Sequence, residues 1–229
     1  MKVFHGALIA AAILAAVAAP GALAQTAGNQ SAYVVTYIEV APSAEAEAAK
    51  LLRQVAAASR KEAGNLRYEV VQQSDRRNQF AILEAWSDGK AFEAHGGGAP
   101  MKEFRDHLNP LRISFYDQRP DTGIDIGAVT SPASKGAIFV ITHVDVGGVS
   151  KDDAIVLMKK LAADSRSHSE RYEVWQQNNR LNHFTVVEIW KDQPALDAHD
   201  VAAGTREFRE KLGPLMGALY DDRRYRSLE

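Results

Sequence analysis

Two heptapeptides decide the fold: Arg67-Tyr68-Glu69-Val70-Val71-Gln72-Gln73 and Arg171-Tyr172-Glu173-Val174-Trp175-Gln176-Gln177, 104 positions apart. Moving outward at that offset, 15 of the 29 positions from Arg67 to His95 agree, as do 9 of the 17 from Glu103 to Arg119. Upstream, Tyr33-Val34-Val35-Thr36 and Phe139-Val140-Ile141-Thr142 align at an offset of 106, so the intervening segment is two residues shorter in the second copy. A unit of about 90 residues is too long for a solenoid repeat. It reads as a duplicated domain covering 31–119 and 137–226. The Pro-, Gly- and Ser-containing stretch 120–136 is expected to link the copies.

Each copy has the same expected order of elements. The β-rich runs 33–40 and 138–146 open the copies as strands. A helix follows, capped by Ser43 in the first copy and by the Ser150/Asp153 pair in the second, and Gly64 closes the first of these helices. Residues 67–73 and 78–86 read as a hairpin, a short helix carries His95, a further helix carries Phe104 and Leu108, and 113–119 is the last strand. The order βαββααβ is close to the ferredoxin-like arrangement, an α+β fold with helices on one sheet face. The bare face needs a partner, which the tandem copy supplies. Two such domains packed sheet to sheet make an α+β barrel within one chain. Along 80–86 both strand phases are apolar, as that closure requires.

The chain has 229 residues, with 27 Lys+Arg against 29 Asp+Glu and no cysteine. A net charge of −2 argues against nucleic acid, whose phosphates need a basic face. The lack of cysteine excludes disulfides, thiolate catalysis and Cys-based metal sites. Lys2, the uncharged run 6–19 and Ala22-Leu23-Ala24 describe a secretory signal peptide over 1–24, too short to be a membrane span. A periplasmic or secreted location follows as an expectation.

The motifs Arg67-Tyr68-Glu69, Phe80/Glu84/Trp86, Ala91/Ala94/His95, Glu103-Phe104-Arg105 and Leu108/Pro110/Leu111 return as Arg171-Tyr172-Glu173, Phe184/Glu188/Trp190, Ala195/Ala198/His199, Glu207-Phe208-Arg209 and Leu212/Pro214/Leu215. In this pattern the chain resembles the antibiotic biosynthesis monooxygenase family over nearly all of its length beyond the leader and linker. The resemblance implies a dimeric α+β barrel, here fused into a pseudo-dimer, with a homodimer of pseudo-dimers left open. It also implies oxygenation of quinol, phenolic or anthrone-type substrates without metal, flavin or haem. Haem-cleaving relatives use an asparagine on the first strand, and neither 33–40 nor 138–146 contains one.

Oxygenation without a cofactor needs a base and a means of holding the substrate anion. A histidine of pKa about 6.5 facing a phenol of about 10 is short by roughly 5 kcal/mol, so donors must stabilise the phenolate. His95 and His199 are the candidate bases, although a helix-terminal histidine equally suits a carbonyl and the helix dipole. Trp86 and Trp190 are candidate stacking walls, while Tyr68, Tyr172, Phe104 and Phe208 are candidate substrate-binding residues. Arg67 with Glu84 and Arg171 with Glu188 are expected as structural ion pairs. No cofactor-binding glycine loop or metal-ligand spacing is present in the sequence. The expected partner is a small aromatic molecule. A binding module that sequesters such a molecule without chemistry is the alternative. Val71 against Trp175, Ala85 against Ile189, and Gly96-Gly97-Gly98 against Asp200-Val201-Ala202 mark where the copies diverge.

Overall fold

The computed structural model describes residues 30–127 and 132–229, and the expected signal peptide over 1–24 lies outside them. The first half runs β1 (Ala32–Glu39), α1 (Glu45–Ser59), β2 (Asn65–Gln73), β3 (Gln79–Trp86), α2 (Gly89–Gly97), α3 (Ala99–Leu108) and β4 (Asp117–Asp125). The second runs β5 (Ile138–Asp145), α4 (Lys151–Ser165), β6 (Arg171–Gln177), β7 (His183–Trp190), α5 (Gln193–Asp200), α6 (Ala203–Leu212) and β8 (Asp221–Ser227). Each half is therefore βαββααβ. No helix among the described residues is long and apolar enough to cross a membrane.

The eight strands form one closed barrel in the order β1-β3-β2-β8-β5-β7-β6-β4. The last strand of each half makes the closure. β4 pairs with β1 of its own half and β6 of the other, and β8 pairs with β5 and with β2. A closed sheet has no free edge, which removes the usual route to edge-to-edge aggregation.

Closure also explains where the sequence reading of the last strand and linker was off. β4 runs to Asp125, through residues expected to be linker. Pro120 is tolerated because it sits where pairing with β6 starts and supplies only its carbonyl, which accepts from the Asn178 N–H at 3.0 Å, ahead of Asp121 opposite Gln177. Gly123 is a packing requirement rather than a linker signal. A Cβ there would meet the Ile126 side chain at 2.5 Å and the Tyr33 ring at 2.7 Å. The expected caps also differ. Ser43 lies in a 3-10 turn ahead of α1, and Ser150, though at the N-cap of α4, makes no side-chain cap bond.

Strand alternation gives two buried surfaces. Facing the helices, Tyr68, Val70, Phe80, Ile82 and Trp86 pack against α1 and α3 in one apolar cluster, and the second half repeats it. Facing the lumen, Val35, Leu83, Phe139, Ile141, Trp175 and Val187 fill the barrel. Arg67 and Arg171 point into this lumen, which corrects the expected pairing with Glu84 and Glu188. Register decides the matter: Tyr68 stands opposite Glu84, so Arg67, one residue earlier, lies on the other face. Arg67 instead grips Glu173 with two bonds of 2.8 and 2.7 Å, and Arg171 grips Glu69 with bonds of 2.6 and 3.1 Å. The crossed pairs tie one half to the other. Arg67→Met strips buried Glu173 of both its arginine hydrogen bonds, leaving Trp175 as donor and Arg171 at 3.9 Å, and a loss of up to about 3 kcal/mol is expected from the urea midpoint. The double variant Arg67→Met/Glu173→Leu is expected to recover part of that loss.

Candidate active site

Glu84 and Trp86 project from β3 toward the helices, with Tyr68 directly across on β2. The Asp88 side chain caps α2 by accepting from the Ala91 N–H at 2.8 Å, which fixes the start of that helix. His95, in its last turn, then falls over Trp86, with ring centroids 4.5 Å apart and planes at 30°. The Trp86 Nε1–H donates to Glu84 Oε2 at 2.9 Å, and His95 Nε2 stands 3.6 Å from the same oxygen. His95 Nδ1 lies 3.0 Å from Glu62 Oε2.

The second half rebuilds most of this. Asp192 caps α5, His199 stacks on Trp190 at 4.5 Å and 30°, Trp190 donates to Glu188 at 2.9 Å, and His199 Nε2 stands 3.6 Å from Glu188. Tyr172 takes the place of Tyr68. Here, however, His199 Nδ1 faces the Thr205 hydroxyl at 3.4 Å instead of a carboxylate.

Burial tunes both clusters. It pushes the Glu84 carboxyl up to about 7, against the lowering effect of the Trp86 bond, and it lifts Glu188 to about 7 in the same way. Burial also lowers the pKa of His95, opposed by Glu62, and of His199, opposed by Asp200. Near neutral pH each site thus holds a carboxyl poised between its two forms beside a neutral imidazole. Such a pair can accept and return a proton.

In the first half, several buried polar atoms lack a partner at full hydrogen-bond geometry: Glu84 Oε1, His95 Nε2, Tyr68 OH beside Ser59, and Thr36 Oγ1 and Tyr116 OH, which face each other. Tyr68 and Tyr116 both feel the Glu84 charge, which together with burial holds their hydroxyls protonated. A buried polar group without a well-formed hydrogen bond costs up to about 1–3 kcal/mol, so this loose arrangement is not the cheapest way to fill the space.

The structure brings the candidates His95, Trp86 and Tyr68 together and adds Glu84, which the sequence suggested only as an ion-pair partner of Arg67; His199, Trp190, Tyr172 and Glu188 meet in the same way. Phe104 and Phe208 lie in the apolar layers around the two clusters. One expectation changes: the face of each tryptophan is covered by its own histidine, so neither ring is an open stacking wall. His95 is only 2% exposed and Trp86 is fully buried, so this cluster is closed to solvent in the structure. The broad cavities lie elsewhere, at the barrel ends. One of 760 Å³ is bordered by Arg67, Glu69, Phe139 and Arg171. Arg105 and Arg209 brace the helix ends, bonding the Gly96 and Asp200 carbonyls.

Three contributors escaped the sequence reading. Thr36/Thr142 and Tyr116/Tyr220 recur at the repeat offsets, a signal that was there to use. Glu62 sits in the segment that the second copy shortens, so the repeat gave no signal for it. Among the described residues no group of three or more His, Asp or Glu is placed to hold a metal ion.

The antibiotic biosynthesis monooxygenase pattern matches residues 31–107 and 138–211. The chain belongs to that family. Its fold is shared with solved structures. A proposed monooxygenase from Fusobacterium nucleatum superposes with a TM-score of 0.80 at 14% identity, covering 87% of this chain and 93% of that one. One from Lactobacillus acidophilus gives 0.73 at 14%, covering 87% and 95%. An anthrone oxidase-like protein gives 0.66 at 14%, covering 89% and 93%. At these identities the likeness is one of fold. A comparison with curated proteins finds no match.

The raised carboxyls have a measurable consequence. Between pH 4.5 and about 7 the folded protein keeps protons on Glu84 and Glu188 that the unfolded chain has released, so these groups make stability fall as pH rises. His95 and His199, held below 6.5, act in the opposite sense as pH drops. Glu84→Gln should remove one share of the falling slope, worth about 3 kcal/mol between the limits. Urea midpoints measured from pH 4.5 to 8 in both proteins provide the check.

Proposed function

We propose that this chain is a cofactor-independent monooxygenase acting on electron-rich quinol, phenolic or anthrone-type substrates. The set of loosely bonded buried groups around Glu84 and His95 carries the proposal. Taking an acidic proton onto the Glu84–His95 pair leaves a substrate anion whose developing charge Tyr68 and Tyr116 are placed to receive as donors. A carboxyl near pKa 7 still falls short of a phenol by about 3 units, or roughly 4 kcal/mol, which is the work left to those donors.

For an anthrone-type ring methylene the balance closes without a cofactor. The carbanion passes one electron to dioxygen, and the resulting radical and superoxide join in a C–O bond. The peroxide takes back a proton and then loses water, leaving a ketone. One oxygen atom enters the product and the other leaves in water. Trp86 holds Glu84 in place through its N–H, and the apolar layer around it, Phe104 included, would exclude bulk water. Trp190, Glu188, His199 and Phe208 would do the same in the second half.

The competing reading is a binding module, favoured by the 760 Å³ cavity with Phe139 on its border beside the paired charges of Arg67, Glu69 and Arg171, which suits a small aromatic molecule. Oxygen uptake by residues 25–229 with hydroquinones and anthrones separates the two. The monooxygenase reading expects consumption above the buffer rate and a loss of about 10²-fold or more in the double His95→Ala/His199→Ala variant. Binding without uptake supports the module. Undiminished uptake in the double variant removes histidine from the mechanism. With residues 1–24 read as a leader, we place the protein outside the cytoplasm. N-terminal sequencing of the exported form is expected to begin at Gln25.

A further inference from the structure

The two halves keep the same carboxyl, indole and imidazole but differ in what holds the far side of the ring. In the first half, the turn after α1 delivers Glu62. Gly64 makes this turn fit: at φ +82° it lies against the start of α2, where a Cβ would meet Ala91 at 2.6 Å and Ser87 Oγ at 2.7 Å. The Ser87 N–H donates to the Gly64 carbonyl at 2.7 Å, pinning the turn to the end of β3. Only this close approach brings the Glu62 carboxylate to 3.0 Å from His95 Nδ1. The shortened second copy has Ser167-His168-Ser169-Glu170 between α4 and β6, without the glycine. His199 is left with a hydroxyl at 3.4 Å.

A carboxylate oxygen only accepts, so a neutral His95 beside it must carry its proton on Nδ1. Its Nε2 is then a bare lone pair, turned toward Glu84 and the loosely bonded cluster. The threonine hydroxyl beside His199 can either donate or accept, so it fixes neither tautomer. We propose that Glu62 is a positioning residue that locks His95 as the Nδ1–H tautomer and thereby makes the first half the working site of the chain. The assignment of a working site rests on the monooxygenase reading, whereas the tautomer lock does not.

The other groups facing His95 do not supply that lock. Glu84 and Tyr68 approach from the sheet on the Nε2 side or edge-on, and the Arg105 guanidinium on α3 is engaged by the Gly96 carbonyl. Around His199, the Asp200 carboxylate is taken by Arg209 and Arg224, and Glu188 lies on the Nε2 side. Glu62 also keeps 26% of its side chain in solvent while His95 and Glu84 are sealed, so the carboxylate gives the buried pair a contact with water.

The test is nitrogen-15 NMR of the histidine rings in the full mature chain, with Glu62→Ala and Glu62→Gln beside the wild type. Neutral His95 is expected as the Nδ1–H form and is expected to lose that preference in Glu62→Ala, with His199 unmoved. In Glu62→Gln the His95 titration is expected to fall by about 1 unit or more, since the opposite charge is gone while the shape is kept. A wild-type His95 protonated on Nε2, or one indifferent to both substitutions, overturns the lock. Oxygen uptake with an anthrone is the second arm. A kcat at least 10-fold lower in Glu62→Ala at similar KM, with partial rescue by Glu62→Asp, supports the first half as the working site. Unchanged kcat overturns that assignment while leaving the monooxygenase reading standing. If the wild type consumes no oxygen, that reading fails together with the assignment, and the ring spectra still decide the role of Glu62.

Discussion

A barrel closed by strands and wrapped by helices takes nearly every residue of β1, β3, β5 and β7 out of water, and the chemistry of this protein follows from that constraint. Each polar side chain on a strand must be satisfied on the face where alternation puts it. On the lumen face the charges come in opposite signs. Arg67, Glu69, Arg171 and Glu173 neutralise one another across the two halves. On the helix face Glu84 and Glu188 each take a hydrogen bond from an indole N–H, with Tyr172 also bonding Glu188, and no arginine bonds either among the described residues. One-sided satisfaction of this kind cannot hold a carboxylate fully ionised, so the group moves to neutrality instead. The face without a cation is therefore the face with a titratable pair.

The same constraint decides what could be read from the sequence. The duplication, the βαββααβ order and the double burial of the strands were legible because they are periodic, and periodicity survives in one dimension. The end of β4 was not. Pro120 and Gly123 carry the local signals of a linker, and only the arrival of β6 from the other half turns them into strand. The partners of Arg67 and Arg171 were hidden for a related reason. Residue types suggested an ion pair with the carboxylates of the next strand, whereas the register sets the arginines one position out of phase with them. The Trp–His–Glu grouping was legible as neighbours in sequence, but the stacking of imidazole on indole depends on the angle at which α2 leaves its cap.

Fusion of two copies into one chain also changes what each position can become. In a symmetric dimer every substitution appears twice, and a bulky residue near the axis meets its own image. Here Trp175 occupies the lumen 5.3 Å from Tyr33 while its mate is Val71, so one large and one small side chain share a space that two tryptophans would overfill. Tyr37 faces His143, its own counterpart, at 5.1 Å. Apolar lumen positions such as these can diverge as complementary pairs, whereas the crossed Arg67–Glu173 and Arg171–Glu69 pairs keep the same residues in both copies. The outward clusters, each confined to its own half, keep their tryptophan, glutamate and histidine and differ in the loop that carries Glu62 and in the helix residues around the imidazole, where Gly96 and Met101 become Asp200 and Thr205.

One lumen pair shows that divergence in residue type need not be divergence in chemistry. Asp121 and Tyr225 are repeat mates, both fully inside the barrel. Neither oxygen of Asp121 has a bonding partner, and burial lifts its carboxyl to about 8, more than the Arg119 charge can offset. At neutral pH it is therefore mostly a neutral O–H, as the tyrosine opposite it in the repeat always is. The lumen tolerates a carboxyl in two states only: clasped by arginine, as Glu69 and Glu173 are, or protonated, as Asp121 is. Glu84 and Glu188 belong to neither class. They sit at about 7, between the two, and a group held there by its surroundings can change state without the fold having to change with it.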